Sequence, residues 1–231
     1  YLKDTLKVLR SEIRKGTPVV GMEPSCLAVF KDELVKMLPH DDDAARLARN
    51  SYHWAEFFQK HDIEMPKLKG KAVMWGHCHH KATGGVQSEM QMLKDGMGLD
   101  VQMAKGGCCG LAGSFGFESG KYGISMKCGE IGLLPAVRKA DRDTLIIANG
   151  FSCRTQLAQS GLGREALHTA EVMKIARESR ARRISGALPE RRAPARPRPP
   201  AAEAALRTAV AIAVSAVAVG AATRAVRGHR R

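Results

Sequence analysis

The chain has 231 residues, six cysteines and a formal charge of +14. Cysteines this sparse cannot staple a secreted disulfide scaffold, which points to a reducing, cytoplasmic setting where clustered thiols serve metals or redox chemistry. The charge is uneven: residues 181–231 hold eleven arginines and two glutamates, leaving +5 on residues 1–180. Those residues contain no basic, aromatic-interleaved motif, so nucleic acid is not an expected partner.

The chain opens at Tyr1, not Met, and runs straight into a helical pattern (Leu2, Leu6, Leu9, Ile13) with no secretory signal, as in a fragment or a processed chain. Thr17–Met22 reads as a short apolar strand, followed by helices over Cys26–Leu38 and Ala44–His61. Lys71–Trp75 is the next strand, with a helix over Val86–Leu93. Leu99–Ala104 is a strand that leads into Gly106-Gly107-Cys108-Cys109-Gly110. A helix over Ser119–Val137, a strand over Thr144–Ala148 and helices over Phe151–Gln159 and Glu165–Ser179 complete the pattern. Strands alternating with helices predict an α/β fold: a Rossmann-like parallel sheet covered by helices on both faces. Residues 181–231 form an Arg/Pro/Ala-rich tail, expected to be disordered, with an Ala/Val-rich helix at about 204–224. Its uncharged run, Thr208–Thr223, is short for a membrane span, so the tail offers at most weak association with the cytoplasmic face of a membrane.

The cysteines fall on this map with a pattern. Cys26, Cys78, the Cys108–Cys109 pair and Cys153 each follow a predicted strand, at its carboxyl end, where sites form in open parallel sheets. Cys128 lies inside a helical stretch with Ile124 and Ile131 and reads as a small buried hydrophobe. Adjacent thiols between glycines fit a metal or cluster site or a vicinal disulfide. No tight Cys-x-x-Cys zinc knuckle and no ferredoxin run is present. Instead, 29 residues separate Cys78 from the pair and 43 separate the pair from Cys153, a spread that suits a large cluster gripped by several loops.

The segments Glu23-Pro24-Ser25-Cys26, Gly76-His77-Cys78-His79, Gly107-Cys108-Cys109-Gly110 with Ala112–Gly116, and Gly150-Phe151-Ser152-Cys153-Arg154 resemble a known family over residues 1–178. This is the cysteine-rich Cys-Cys-Gly domain found in heterodisulfide reductase and in the iron–sulfur subunits of anaerobic glycerol-3-phosphate dehydrogenase and glycolate oxidase. The similarity is greatest to the C-terminal part of proteins that fuse an FAD-linked oxidase to such modules. The family pattern is a repeat of one cysteine, a Cys-Cys-Gly, then a Cys-x-x-Cys. It implies that residues 1–40 end a truncated first repeat and that residues 41–180 form a complete second one. Glu23 and Gly150 then stand where each repeat's first Cys-x-x-Cys cysteine would be. The resemblance implies an iron–sulfur cluster, [4Fe-4S] or its non-cubane form, with zinc as the alternative. Cys78, Cys108, Cys109 and Cys153 would be its ligands, and Cys26 a further candidate.

His77 and His79 flank Cys78 and are expected beside the ligands, hydrogen-bonding or relaying protons. Arg154 would neutralise cluster charge, and Glu23 would carry a proton, ligate through oxygen or complement a helix dipole. His80 is expected on a solvated turn and His168 on the last helix. No catalytic residue is assigned. The implied function is an electron-transfer module, incomplete alone, for an FAD-linked oxidoreductase acting on a lactate- or glycolate-type donor. Its partners would be a flavoprotein oxidase and a ferredoxin-like domain; the alternative is a zinc-bound or metal-free module that docks a flavoprotein.

Overall fold

Short apolar runs become parallel strands, and amphipathic stretches become the helices that cover them. The structure is a computed structural model that describes residues 1–179, 183–184 and 186–192, all within one unit, Tyr1–Ala193. The predicted Ala/Val-rich helix at about 204–224 lies outside the described residues. Among the described residues, no helix is long and apolar enough to cross a membrane.

The first half comprises α1 (Leu2–Lys15), β1 (Val19–Gly21), α2 (Pro24–Ala28), α3 (Leu34–Met37), α4 (Asp42–Arg49), β2 (Ser51–His53) and α5 (Trp54–Lys60). A π turn, Val29–Glu33, joins α2 to α3. The second half comprises β3 (Lys71–Trp75), α6 (Cys78–Thr83), α7 (Gln87–Gln91), β4 (Asp100–Met103), α8 (Tyr122–Ile131), α9 (Leu133–Lys139), β5 (Leu145–Ala148), α10 (Phe151–Gln159) and α11 (Thr169–Glu178). β3 lies between β4 and β5, parallel to both. β1 and β2 form a separate parallel pair with Val19 opposite Ser51 and Gly21 opposite His53. The single predicted sheet is therefore two.

Side-chain alternation along β3 and β5 divides the larger core. Ala72, Met74, Leu145 and Ile147 pack with Leu93, Met97 and Val172 on one face. Trp75, Ile146 and Ala148 pack with Leu133, Leu134, Val137 and Leu157 on the other. All four β5 residues are buried, as a strand covered on both faces requires. A smaller core of Leu6, Ile13, Leu34, Ala44 and Leu47 lies among α1, α3 and α4.

Four helix boundaries differ from the sequence reading. Ala44–His61 is not one helix: α4 closes at Asn50, Ser51–His53 pair with β1, and α5 starts afresh. His53 opens α5, its backbone N–H donating to the Glu56 side chain at 2.9 Å. Likewise Glu165–Leu167 is extended, Leu167 bridging β5, and α11 begins only after His168, whose Nδ1 accepts the Ala170 N–H at 3.0 Å. Ser119–Val137 splits at Gly132, where a β-carbon would meet the Lys105 carbonyl oxygen at 2.5 Å. The helix predicted over Val86–Leu93 continues past Gln91 as a π turn to Gly96.

Beyond α11, the Pro189–Arg192 turn is held by a buried ion pair, Arg164 Nε to Glu190 Oε1 at 2.6 Å, with the Glu190 side chain fully buried. Removing one partner strands a charge, so Arg164→Met should cost about 3–5 kcal/mol in denaturant unfolding, and Arg164→Met with Glu190→Leu should recover most of it.

Candidate metal centre

The turn after β4 carries the adjacent cysteines, and its backbone is shaped for them. Gly110 has φ +98°, and a β-carbon there would stand 2.1 Å from the Ser125 carbonyl oxygen, so both conformation and space require glycine. Ala112 follows in the left-handed region at φ +46°. This curl turns successive N–H groups inward: Leu111 and Ala112 donate to the Cys109 sulfur, and Gly110 donates to Cys108 Sγ at 3.3 Å. From α10, Gln156 Nε2 donates to the Ser125 carbonyl at 3.0 Å, fixing that helix to α8.

The thiols approach one another in pairs beside this curl. Cys78 opens α6 just past β3, and Cys153 lies in the first turn of α10 just past β5. Cys108 is within hydrogen-bonding reach of Cys78, and Cys109 of both Cys153 and Cys108. Cys109 and Cys153 are buried, Cys78 is half-buried and Cys108 is exposed, so the group has a buried floor and an open rim. All six cysteines are free thiols. The Cys153 thiol and the two backbone N–H groups hold Cys109 down to about 6, while the same pairing and burial push Cys153 up. Burial also raises Cys108.

The remaining candidates divide. Cys26 is exposed on the first turn of α2. Cys128 is half-buried rather than buried, with its β-carbon packed beside Gly110. Glu23 caps α2, accepting the Ser25 N–H at 3.4 Å, and its other oxygen accepts the Phe151 N–H of α10 at 2.6 Å. His77 is buried, with Nε2 3.9 Å from Glu23 Oε1, and burial lowers its pKa. His79 Nδ1 lies 3.6 Å from Cys78 Sγ. Ligand atoms of His77, Cys78 and His79 all lie within 4.8 Å of one another. Arg154 donates to the Ala148 and Asn149 carbonyls at 3.2 and 2.8 Å, bracing the end of β5.

Two expectations are overturned nearby. His80 is not on a solvated turn: it is 1% exposed and stacked on His53 with ring centroids 3.8 Å apart. His168 precedes α11 rather than lying on it, and its Nε2 is 2.9 Å from the Met22 carbonyl oxygen. Unforeseen from the sequence is the buried pair His53 and His80 beside half-buried Glu56, which accepts from Lys31 Nζ at 2.7 Å. Glu89, fully buried against Thr169, is equally unforeseen. A signal was present: His-x-x-Glu occurs at 53–56 and again at 168–171.

Four thiols with inward N–H donors fit a soft, thiolate-preferring group, either a zinc ion or an iron–sulfur cluster. A separate surface hollow lies near the opposite ends of the strands, lined by Lys71, Asp100, Asp141 and Thr144 among others.

Sequence comparison finds distant relatives. The chain is 28% identical over 157 residues to D-2-hydroxyglutarate dehydrogenase of Pantoea ananatis, covering 66% of this chain and 15% of that protein. It is 25% identical over 150 residues to a subunit of the anaerobic glycerol-3-phosphate dehydrogenase of Escherichia coli K12, covering 63% and 37%. The E. coli K12 D-2-hydroxyglutarate dehydrogenase is 24% identical over 157 residues, covering 67% and 15%. The chain thus spans well under half the length of these curated relatives. No protein-family model and no solved structure matches.

The sulfur environment has a spectroscopic consequence. In the metal-free chain, thiolate absorbance near 240 nm should rise with a first midpoint close to pH 6, and Cys109→Ser should abolish that step while Cys128→Ser preserves it.

Proposed function

We propose that this chain is an iron–sulfur electron-transfer module of a flavin-linked dehydrogenase whose donor is a 2-hydroxy acid or a similar alcohol. The observation that carries this reading is the pairwise approach of Cys78 to Cys108 and of Cys153 to Cys109, thiols brought from three distant loops. The relatives' names, which include a 2-hydroxy-acid dehydrogenase and a dehydrogenase subunit, support an oxidoreductase setting. Held by the four thiolates, a [4Fe-4S] cluster would supply one-electron transfer between a reduced flavin bound elsewhere and an acceptor.

The chain's own residues would hold, insulate and tune that group. Cys109 and Cys153 anchor its buried side, while exposed Cys108 and half-buried Cys78 lie toward a partner. Backbone N–H groups of Gly110, Leu111 and Ala112 compensate thiolate charge, which favours the reduced state and raises the potential. Cys26, beside Glu23, is the further candidate ligand. A parallel strand pair with a His-x-x-Glu helix start recurs at β1–β2–α5 and at β5–Leu167–α11, which supports an internal repeat whose first copy runs on through α5 rather than ending at residue 40. A module of this kind needs a flavoprotein to produce electrons and is not a complete enzyme.

Zinc is the second reading, favoured by the close approach of His77, Cys78 and His79. Anaerobic reconstitution followed by iron and sulfide analysis and EPR separates the two. The expected result is about four irons and four sulfides per chain, lost in Cys108→Ala and kept in Cys128→Ser. A colourless chain that retains only zinc overturns the cluster.

A further inference from the structure

Gly150 and His77 fit one another in a way that backbone conformation does not explain. Gly150 has φ −72° and ψ 131°, values open to any L-residue, so glycine is not needed for flexibility. Space is the constraint. A β-carbon at 150 would lie 2.1 Å from His77 Cδ2 and 3.0 Å from both Cγ and Nε2. No real β-carbon makes a contact of 2.1 Å, so the imidazole occupies the volume that a side chain at 150 would enter.

The ring cannot easily move aside. It is 5% exposed, its Nδ1 accepts the His79 N–H at 3.2 Å, and its Nε2 faces Glu23 Oε1 at 3.9 Å. Glu23 is itself fixed by Phe151 N–H at 2.6 Å and Ser25 Oγ at 2.8 Å. Phe151 follows Gly150 directly, so the carboxylate that borders the ring also grips the chain beside the gap.

The same contacts decide what His77 does there. An Nδ1 that accepts a backbone N–H carries no proton, so in the neutral ring the proton sits on Nε2. Ligation through Nε2 would require moving that proton to Nδ1, where it would oppose the His79 N–H. In the iron–sulfur reading His77 is therefore a space-filling, N–H-bearing wall of the site rather than a ligand, unlike its part in the zinc reading.

We infer that the His77–Gly150 pair restricts this centre to four thiolates: His77 stands where a fifth thiol, carried at position 150, would project. This rests on the iron–sulfur reading for what the centre holds, but the fit between the two residues does not. Both are positioning residues, and exchanging their bulk should convert the site to one of five thiols.

Two measurements test this together. In the metal-free full chain, Gly150→Ala should lower Tm by about 5 °C in the His77 background, and by far less in His77→Ala, because overpacking is relieved. Equal losses in both backgrounds overturn the pairing. In the iron-loaded full chain, cysteines shielded from alkylation are counted by mass spectrometry and the EPR spectrum is recorded. The wild type should shield four of its thiols, and His77→Ala/Gly150→Cys should shield five with an altered spectrum, whereas Gly150→Cys alone should gain none. A double variant with an unchanged count and spectrum overturns the inference while the cluster reading stands. A wild type that takes up no iron overturns the cluster reading, and the melting series then judges the pair alone.

Discussion

One carboxylate ties the two ends of the described chain together. Glu23 accepts the Ser25 N–H at the start of α2 and the Phe151 N–H at the start of α10. Each helix start presents N–H groups that its own turns cannot satisfy, and a single negative side chain serves both. His77 lies along the same carboxylate, and Gly150 leaves room for it. The first turn of α10, with Cys153 in it, is thereby held toward the curl that carries Cys108 and Cys109. The N–H groups of that curl and the thiols of the floor have their geometry because these two segments are pinned at this distance.

Behind this site the interior is more polar than a small α/β core usually is. Burial pushes His53 down to about 4 and His80 to about 3, so both stacked rings are neutral near pH 7. The Lys31–Glu56 pair beside them is partly buried. On the far side, Glu89 is fully buried with its carboxyl pushed up by desolvation, and Thr169 in turn reaches Asn149, the residue before Gly150.

Much of this was legible in the sequence, for identifiable reasons. β3 and α10 matched their predicted limits because each is a short run flanked by glycines, Gly70 and Gly76 for β3 and Gly150 and Gly161 for α10. β2 was hidden because Ala44–His61 stays amphipathic throughout and histidine is not a familiar helix-start residue, though His53 and His168 both serve as one. The division into two sheets was invisible to any one-dimensional pattern, since β1 and β2 differ from the other strands only in whom they pair with. The thiol set could be nominated because cysteines placed just after strands are rare. The role of Gly150 could not be, because its explanation lies in a ring 73 positions earlier in the chain.

That sequence distance has a kinetic meaning. Glu23 and Phe151 are 128 residues apart, and His168 reaches Met22 across 146. Contacts of such span give little return until most of the intervening chain is already ordered, so they belong to the last steps of folding. The β4–β3–β5 sheet and its two cores can collapse on contacts of shorter range. During synthesis, the segment around Glu23 must wait for almost the whole described chain to emerge before it can close over α10. The thiols would then stay accessible, on a body already folded, until the segment that emerged earlier docks last.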